Sequence, residues 1–477
     1  MLLGMSLTTR TRPPLRRTAA DPVQPRRPVV HRWWRDAAGL LAWASLLVVV
    51  ALWVSHGWIQ GLSGADGWLT GTGRLAGLLA ADLMLLQVLL MARLPFVERS
   101  YGQDELARRH RLVGFASFNL MLAHVVLITV GYALTDGRDV VREAWHLVWT
   151  YPGMLLATAG FAALCMVVVT SVRAARRRLR YESWHLLHLY AYLGAGLALP
   201  HQIWTGADFV GTPWARAYWW TLWAGSLGAV LVYRVGLPVY RSLRHRLVVS
   251  DVSVEAPGVV SVSVTGRDLN RLPVRAGQFL QWRFLDGPGW TRAHPYSLSA
   301  APTADRLRIT VKDLGDDSRR LSTLRPGTRV LVEGPYGRLT AEVRTRRRVT
   351  LLASGIGITP LRALLEDLPA APGDVTLVYR TSGTGDALFT DELDELARTR
   401  GVRVLHAPGR RVAGRQSWLP QQAAHLSDAQ GLLHLVPDVA QHDVYLCGSP
   451  GWMDAARQAA LDAGVPAERV HLERFSW

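Results

Sequence analysis

Two apolar stretches carry histidines where a membrane would bury them, and no other feature restricts the chain as much. Arg109 to Leu134 reads RHRLVGFASFNLMLAHVVLITVGYAL, with His110 and His124, and Arg180 to Gln202 reads RYESWHLLHLYAYLGAGLALPHQ, with His185, His188 and His201. Apolar runs of about 20 residues are long enough to span a bilayer. An ionisable side chain inside one costs several kcal/mol unless it has a partner, so it marks function by default. His110 and His124 are fourteen residues apart, and His188 and His201 thirteen. At 1.5 Å per residue each pair is separated by about 20 Å along its helix, inside a hydrocarbon core of about 30 Å. Two helices with histidines at matching depths can clamp two stacked haems through neutral imidazoles. The expected iron ligands are His110, His124, His188 and His201.

The helical angles suit one pair better than the other. At 100° per residue, His110 and His124 fall about 40° apart, on one face, whereas His188 and His201 fall about 140° apart. Using His185 instead of His188 gives about 160°, which is no better. Pro200 removes a backbone bond directly before His201 and must kink or rewind the helix, and Gly194 and Gly196 ease that adjustment.

Six apolar runs are expected to span: Ala37–Val54, Leu75–Ala92, Leu112–Leu134, Pro152–Val172, Trp184–Trp204 and Ala217–Val232. Arginines concentrate in the first 36 residues, between the second and third runs, and between the fourth and fifth. The positive-inside rule then places the chain in the cell membrane, multi-pass, with both termini cytoplasmic. It puts His110 and His188 near the inner face and His124 and His201 near the outer one. Residues 1–36 read as a basic cytoplasmic tail on the membrane surface, with a transit peptide as the alternative. The excess of 17 positive charges is explained by these flanks, and no basic soluble patch suggests nucleic acid. Two cysteines, Cys165 and Cys447, are too few for an iron–sulfur cluster. Electron carriers must therefore be organic or haem. Asp82 and Asn119 lie mid-span, and each either tunes a haem, carries a proton or makes a structural hydrogen bond.

Beyond residue 240 the texture changes. Segments such as LVVSDVSV, VVSVSV, GQFLQWRF, LRITVKDL and RVLVEGPYG alternate β-branched and polar residues between turns, which predicts an antiparallel barrel over 245–342. From Arg348 strands alternate with helices, which predicts a parallel, Rossmann-like α/β domain over 343–477. The expected fold is a multi-domain membrane protein, with a helical haem bundle over 37–240 followed by these two domains.

HPYSLS contains His294, Pro295, Tyr296 and Ser297, and with it the chain resembles the ferredoxin–NADP reductase flavoprotein superfamily. Histidine in place of the usual arginine is similar to the NADPH-oxidase and ferric-reductase branch. The resemblance implies that Tyr296 stacks on the flavin of FAD and that Ser297 approaches its reactive nitrogen. VKDLGDDS resembles the second flavin segment, implying Lys312, Gly315 and Ser318 near the diphosphate, a role that a lysine and small donors suit. SGIGITP, with Gly355, Gly357, Thr359 and Pro360, follows an apolar strand and opens a helix, as phosphate-binding turns do. LCGSP resembles the family segment that sets a cysteine, here Cys447 with Gly448, beside the nicotinamide. Arg380 could bind an NADP 2′-phosphate or be a solvated arginine. Trp477 resembles the family's terminal aromatic over the flavin, with Phe475 as the alternative. YES-W-HLLH followed by PH, and RRHRLVGF followed by AH, resemble the fifth and third helices of the family's transmembrane domain. The resemblance runs from about residue 75 to the end.

Together these readings predict an oxidoreductase that passes electrons from cytoplasmic NAD(P)H through FAD and two b-type haems to an outside acceptor: a ferric chelate, oxygen or a redox partner. The rivals are a membrane-anchored flavin reductase without haem and a haem-bearing redox sensor.

Overall fold

The computed structural model of the protein describes residues 32–176, 178–179, 181–287, 290 and 292–473. They divide into two compact units, 32–101 with 105–235, and 102–104 with the chain from Gly236 onward. The basic tail up to His31, the loop arginines Arg177 and Arg180, and Phe475 and Trp477 lie outside the described residues.

Five helical segments among the described residues, all starting in the first unit, are long and apolar enough to cross a membrane: Trp33–Ser55, Gly64–Met91, Glu105–Asp136, Met154–Ser171 and Pro213–His245. The fifth predicted run is also one helix, Tyr181–Trp204, of 24 residues, although its histidines and proline dilute its apolar character. The second helix starts at Gly64, eleven residues before the expected run. Asp66 and Arg74 obscure that start, and Arg74 is accommodated over the Trp58 ring at 4.2 Å with its Nη2 donating to Tyr132 at 3.0 Å. Large apolar side chains such as Phe115, 75% exposed, face outward, as they do when the surroundings are lipid.

Close helix packing sets where the histidines fall. A Cβ at Gly160 would lie 2.6 Å from the Gly194 carbonyl, and one at Gly194 would lie 2.9 Å from the Gly160 carbonyl. Gly194 therefore serves contact between Met154–Ser171 and Tyr181–Trp204 rather than only relief of a kink. Pro200 stays inside its helix. Gly153, at φ 81°, backs onto the Pro200–His201 peptide so tightly that a Cβ would meet the His201 nitrogen at 2.8 Å. The last apolar run continues through a π-helical turn, Val230–Gly236, into Leu237–His245, so the helix extends beyond Val232.

The second unit begins with six antiparallel strands: β1 (Val248–Ala256), β2 (Val259–Thr265), β3 (Phe279–Phe284), β4 (His294–Ser297), β5 (Arg306–Lys312) and β6 (Val330–Tyr336). They pair as two three-stranded sheets, β1-β2-β5 and β4-β3-β6, joined by single bridges at Val248–Arg329 and Leu298–Ile309. Val262, Leu280, Trp282, Leu298 and Ile309 fill the core between them. The five remaining strands are β7 (Val349–Ser354), β8 (Val375–Thr381), β9 (Arg403–Pro408), β10 (Asp443–Cys447) and β11 (Val470–Leu472). They form a parallel sheet in the order β11-β10-β7-β8-β9, with one apolar layer around Leu351, Leu361 and Tyr445 and another around Leu352, Trp418 and Trp452. The order reverses between β7 and β10, and in such sheets ligands bind outside the strand ends at that switch point.

Candidate functional site

The four histidines meet in two pairs. The ring centroids of His110 and His188 are 6.0 Å apart at an interplanar angle of 67°, and those of His124 and His201 are 6.4 Å apart at 46°. A metal held about 2 Å from one nitrogen of each ring separates imidazole centroids by roughly 6 Å. All four rings engage Nδ1 with the protein. His110 Nδ1 is 3.1 Å from the Gln87 carbonyl, and His124 Nδ1 is 2.8 Å from that of Gly73. His188 Nδ1 lies 3.3 Å from Ser171 Oγ, and His201 Nδ1 lies 2.8 Å from Thr205 Oγ1. A hydrogen bond at Nδ1 fixes the tautomer and leaves Nε2 as the ligating nitrogen. Gly77 gives His124 its room, since a Cβ there would meet the ring at 2.5 Å. Among the described residues no cluster of three or more His, Cys, Asp or Glu side chains could hold a bare metal ion. A two-histidine site suits an iron whose remaining positions are filled by a macrocycle. The sequence pointed to the histidines but not to Gln87, Gly73, Ser171 or Thr205, because backbone carbonyls and hydroxyls leave no pattern. Asn119 turns back to the Phe115 carbonyl at 2.7 Å, a local bond.

In the flavin segment, β4 carries His294, Pro295, Tyr296 and Ser297 against β3. The rings of His294 and Tyr296 stack at 6.0 Å and 21°. Trp282 Nε1 donates to the Tyr296 carbonyl at 3.0 Å, which fixes the strand while Ser297 is buried at its end. Lys312 closes β5, exposed. After it, the Leu314 N–H donates to Ser318 Oγ and Ser318 Oγ donates to the Gly315 carbonyl, both at 2.8 Å. Arg319 and the Gly315 N–H hold the Asp313 carboxyl below its usual range.

The nicotinamide motifs, almost a hundred residues apart in sequence, come together at the switch point. Ala353 of β7 pairs with Cys447 of β10. A Cβ at Gly357 would lie 2.3 Å from the Cys447 carbonyl, and one at Gly448 would lie 2.9 Å from Ser354 Cβ. Gly355, at φ 53°, leaves its turn open, and its carbonyl accepts from Tyr379 Oη at 3.2 Å. Thr359 Oγ1 donates back to the Ile356 carbonyl at 3.0 Å, and Pro360 follows it, buried in the helix Ile358–Asp367. Burial raises the Cys447 thiol, and the Glu473 carboxylate adds to the rise, so the sulfur is a neutral thiol at ordinary pH. Arg380 is 3% exposed, with Nη1 donating to the Ala407 carbonyl at 3.1 Å and to that of Thr381. Burial, then the nearby Arg411 charge, lowers it to about 10. Arg411 is the more open cation, and it donates to Oγ of Ser449, the serine of LCGSP, at 2.6 Å.

An ion network missed in the sequence ties the flavin segment to the nicotinamide helices. Arg308 of β5 binds both oxygens of Glu392, at 2.7 and 2.8 Å, and the Ser299 carbonyl at 3.0 Å. Arg362, in the helix after SGIGITP, reaches Glu392 at 2.5 Å and Ser299 at 3.1 Å. Burial works against the Glu392 anion, but its bond to Arg308 and the charges of Arg362 and Arg308 outweigh it and hold the carboxyl below its usual range.

A family model for a ferric reductase like transmembrane component matches residues 76–199, and one for an oxidoreductase NAD-binding domain matches residues 351–458. The ferredoxin reductase component of 3-ketosteroid-9-alpha-monooxygenase from Mycobacterium tuberculosis is 32% identical over 48% of this chain and 63% of its own. The chain therefore spans about three fifths of that relative. Ferredoxin–NADP reductase B from Sorangium cellulosum is 30% identical over 46% of this chain and 93% of its own length. The FAD/NAD-binding domain of nitric oxide dioxygenase from Vibrio cholerae is 24% identical over 49% of this chain and 99% of its own, with a TM-score of 0.38.

Proposed function

The chain belongs to the ferredoxin–NADP reductase family and carries a ferric reductase like transmembrane component; on that premise we propose that it passes electrons from NAD(P)H through FAD and two b-type haems to an acceptor across the membrane. The observation that carries the proposal is the pair of two-histidine sites, each with centroids near 6 Å and every Nδ1 engaged by the protein. These residues fit haem. His110 with His188 and His124 with His201 would hold the two irons through their free ring nitrogens, and Gln87, Gly73, Ser171 and Thr205 orient the rings. When bound, FAD would take one hydride, an electron pair with its proton, from the nicotinamide, and the haems would carry single electrons.

The protein's own part is orientation. Ser297 and Tyr296 place the flavin edge, and Lys312 with the Gly315–Ser318 turn receives its diphosphate. Gly355, Gly357, Thr359 and Pro360 bring the backbone to the nicotinamide phosphates, and Cys447 with Gly448 forms the wall beside the reacting ring. Glu473, close enough to raise the Cys447 thiol, extends that wall. Arg411 is the cation open to a 2′-phosphate, whereas Arg380 is buried against the Thr381 and Ala407 carbonyls. Tyr181–Trp204 is read as a further span, the fifth of six in chain order, the two antiparallel sheets as the flavin barrel, and the arginine-rich loops as cytoplasmic. The acceptor is a ferric chelate, oxygen or a redox partner.

The test is anaerobic addition of NADPH or NADH to the purified full chain loaded with FAD. Growth of reduced b-haem absorption bands is expected. Protein with full FAD and no haem would establish a membrane-anchored flavin reductase instead.

A further inference from the structure

Asp82 has no part in the pathway above. It is fully buried in the Gly64–Met91 helix. Among the described residues it is the only acidic side chain in the interior of a candidate span, away from its end turns. Three helices meet on it. Ser45, from Arg32–Ser55, donates to Asp82 Oδ1 at 2.6 Å, and Ser45 Oγ lies 2.8 Å from Tyr218 Oη, from Pro213–Ala229. Asp82 Oδ2 is buried without a hydrogen-bond partner, and no cation pairs with the carboxyl among the described residues. An anion held by one donor in an apolar interior is costly, whereas a neutral acid with an unpartnered C=O oxygen is tolerated. The single bond from Ser45 supports the charged form only weakly, so a negative charge added nearby tips the carboxyl from anion to acid.

Its position links it to the histidines. The same helix accepts from His124 at the Gly73 carbonyl and from His110 at the Gln87 carbonyl. At 1.5 Å per residue, Asp82 lies about 13 Å along the helix from Gly73 and about 8 Å from Gln87, between the two histidine pairs and nearer the inner one. An electron added to iron at this depth sets up a field that water screens poorly.

We propose that Asp82 is a proton-binding site loaded when the His110–His188 haem is reduced, an inference that rests on the two-haem reading. In the step, reduced flavin gives up one electron and ferric iron becomes ferrous. A proton from water enters at Tyr218, whose hydroxyl hydrogen passes to Ser45 Oγ. The Ser45 hydrogen passes to Asp82 Oδ1, so one O–H bond forms at Asp82 and each hydroxyl regains its hydrogen. Tyr218 is the titratable group facing Asp82 from Pro213–Ala229, and Ser45, which does not titrate, faces it from Arg32–Ser55. The Gln103–Asp136 helix meets the Asp82 helix at Gly73, Ala80 and Gln87, bringing His124, Ser117 and His110.

Redox-difference infrared spectroscopy of the full chain tests this, with haem bands as the internal control. Reduction should bring in the C=O stretch of a protonated carboxylic acid. Asp82→Asn should lose that band while keeping its haem bands, and Ser45→Ala should shift it by removing the hydrogen bond. The midpoint potential of the wild-type inner haem should fall as pH rises, with a flatter slope in Asp82→Asn. Haem bands without an acid band, or the same acid band in Asp82→Asn, overturns the proposal. If Asp82→Asn loses its haem, an unshifted band in Ser45→Ala overturns it instead. A wild-type protein with no haem bands at all overturns the two-haem reading on which it stands.

Discussion

In the helical unit the candidate ligands project from two long helices, whereas in the strand-bearing unit the flavin and nicotinamide motifs sit where strands end. The helix repeat fixes the depth of His110, His124, His188 and His201, and each ring needs only one further hydrogen bond to be oriented. At the switch point nothing repeats. Gly357, Gly448 and Cys447 work by backbone contact so close that one added methyl group would collide. Damage in the first region should therefore appear as a lost cofactor, and damage in the second as a lost rate with the cofactors retained.

The largest effect should come from the histidines. His188→Ala should abolish reduction of an acceptor across the membrane, while NAD(P)H oxidation with a soluble artificial acceptor continues at nearly the wild-type rate. Loss of both activities together would break the separation. Gly357→Ala should do the reverse. Its Cβ would displace the Cys447 carbonyl, and a misplacement near 1 Å costs about 100-fold in turnover, with haem content unchanged by absorption. Thr205→Val sharpens the first region. It removes the His201 Nδ1 partner, and such second contacts cost about 10–100-fold in metal affinity, measured as haem loss to apomyoglobin.

The smallest effects concern the soluble arginines and Glu392. Arg411→Ala should raise the KM for NADPH about 10- to 150-fold and leave NADH unchanged, the loss of one charge-assisted bond of about 1.5–3 kcal/mol. Arg380→Ala, which removes a guanidinium bound to buried carbonyls, should instead lower stability for both cofactors alike. A cofactor-selective effect of Arg380→Ala would return the 2′-phosphate to it. Glu392 sets an acid limit. Its folded carboxyl is held below its usual range, so the stability it contributes is complete above the unfolded value of about 4.3 and is lost as pH falls through the folded one. Glu392→Gln should lower the thermal midpoint of the soluble module at pH 7 and flatten that acid decline.

The two regions also differ in how much of them could be read beforehand. Histidines in apolar runs were legible because their burial is costly, and their pairing followed from depth alone. The thirteen-residue spacing looked inconsistent because a straight helix turns His188 and His201 to different faces. Pro200 inside the helix and Gly153 against its peptide accompany the observed pairing; the proline was legible in the sequence, whereas the Gly153 contact has no sequence signature. The start of the second helix was hidden because Asp66 and Arg74 broke the apolar count. In the strand-bearing unit, alternation marked the strands and a glycine turn marked SGIGITP, whereas LCGSP was recognised only through the family resemblance. The network of Arg308, Glu392 and Arg362 was invisible, since charges far apart in sequence look like any solvated surface until the fold brings them together.

Haem quantification in pair-specific variants tests the central claim most directly. The full chain, purified with its flavin, should hold two b-type haems. His201→Ala and His124→Ala should each retain one, on His110 and His188, with FAD content unchanged. A wild-type chain with fewer than two haems, or histidine variants that keep the full complement, would contradict the assignment of these four residues.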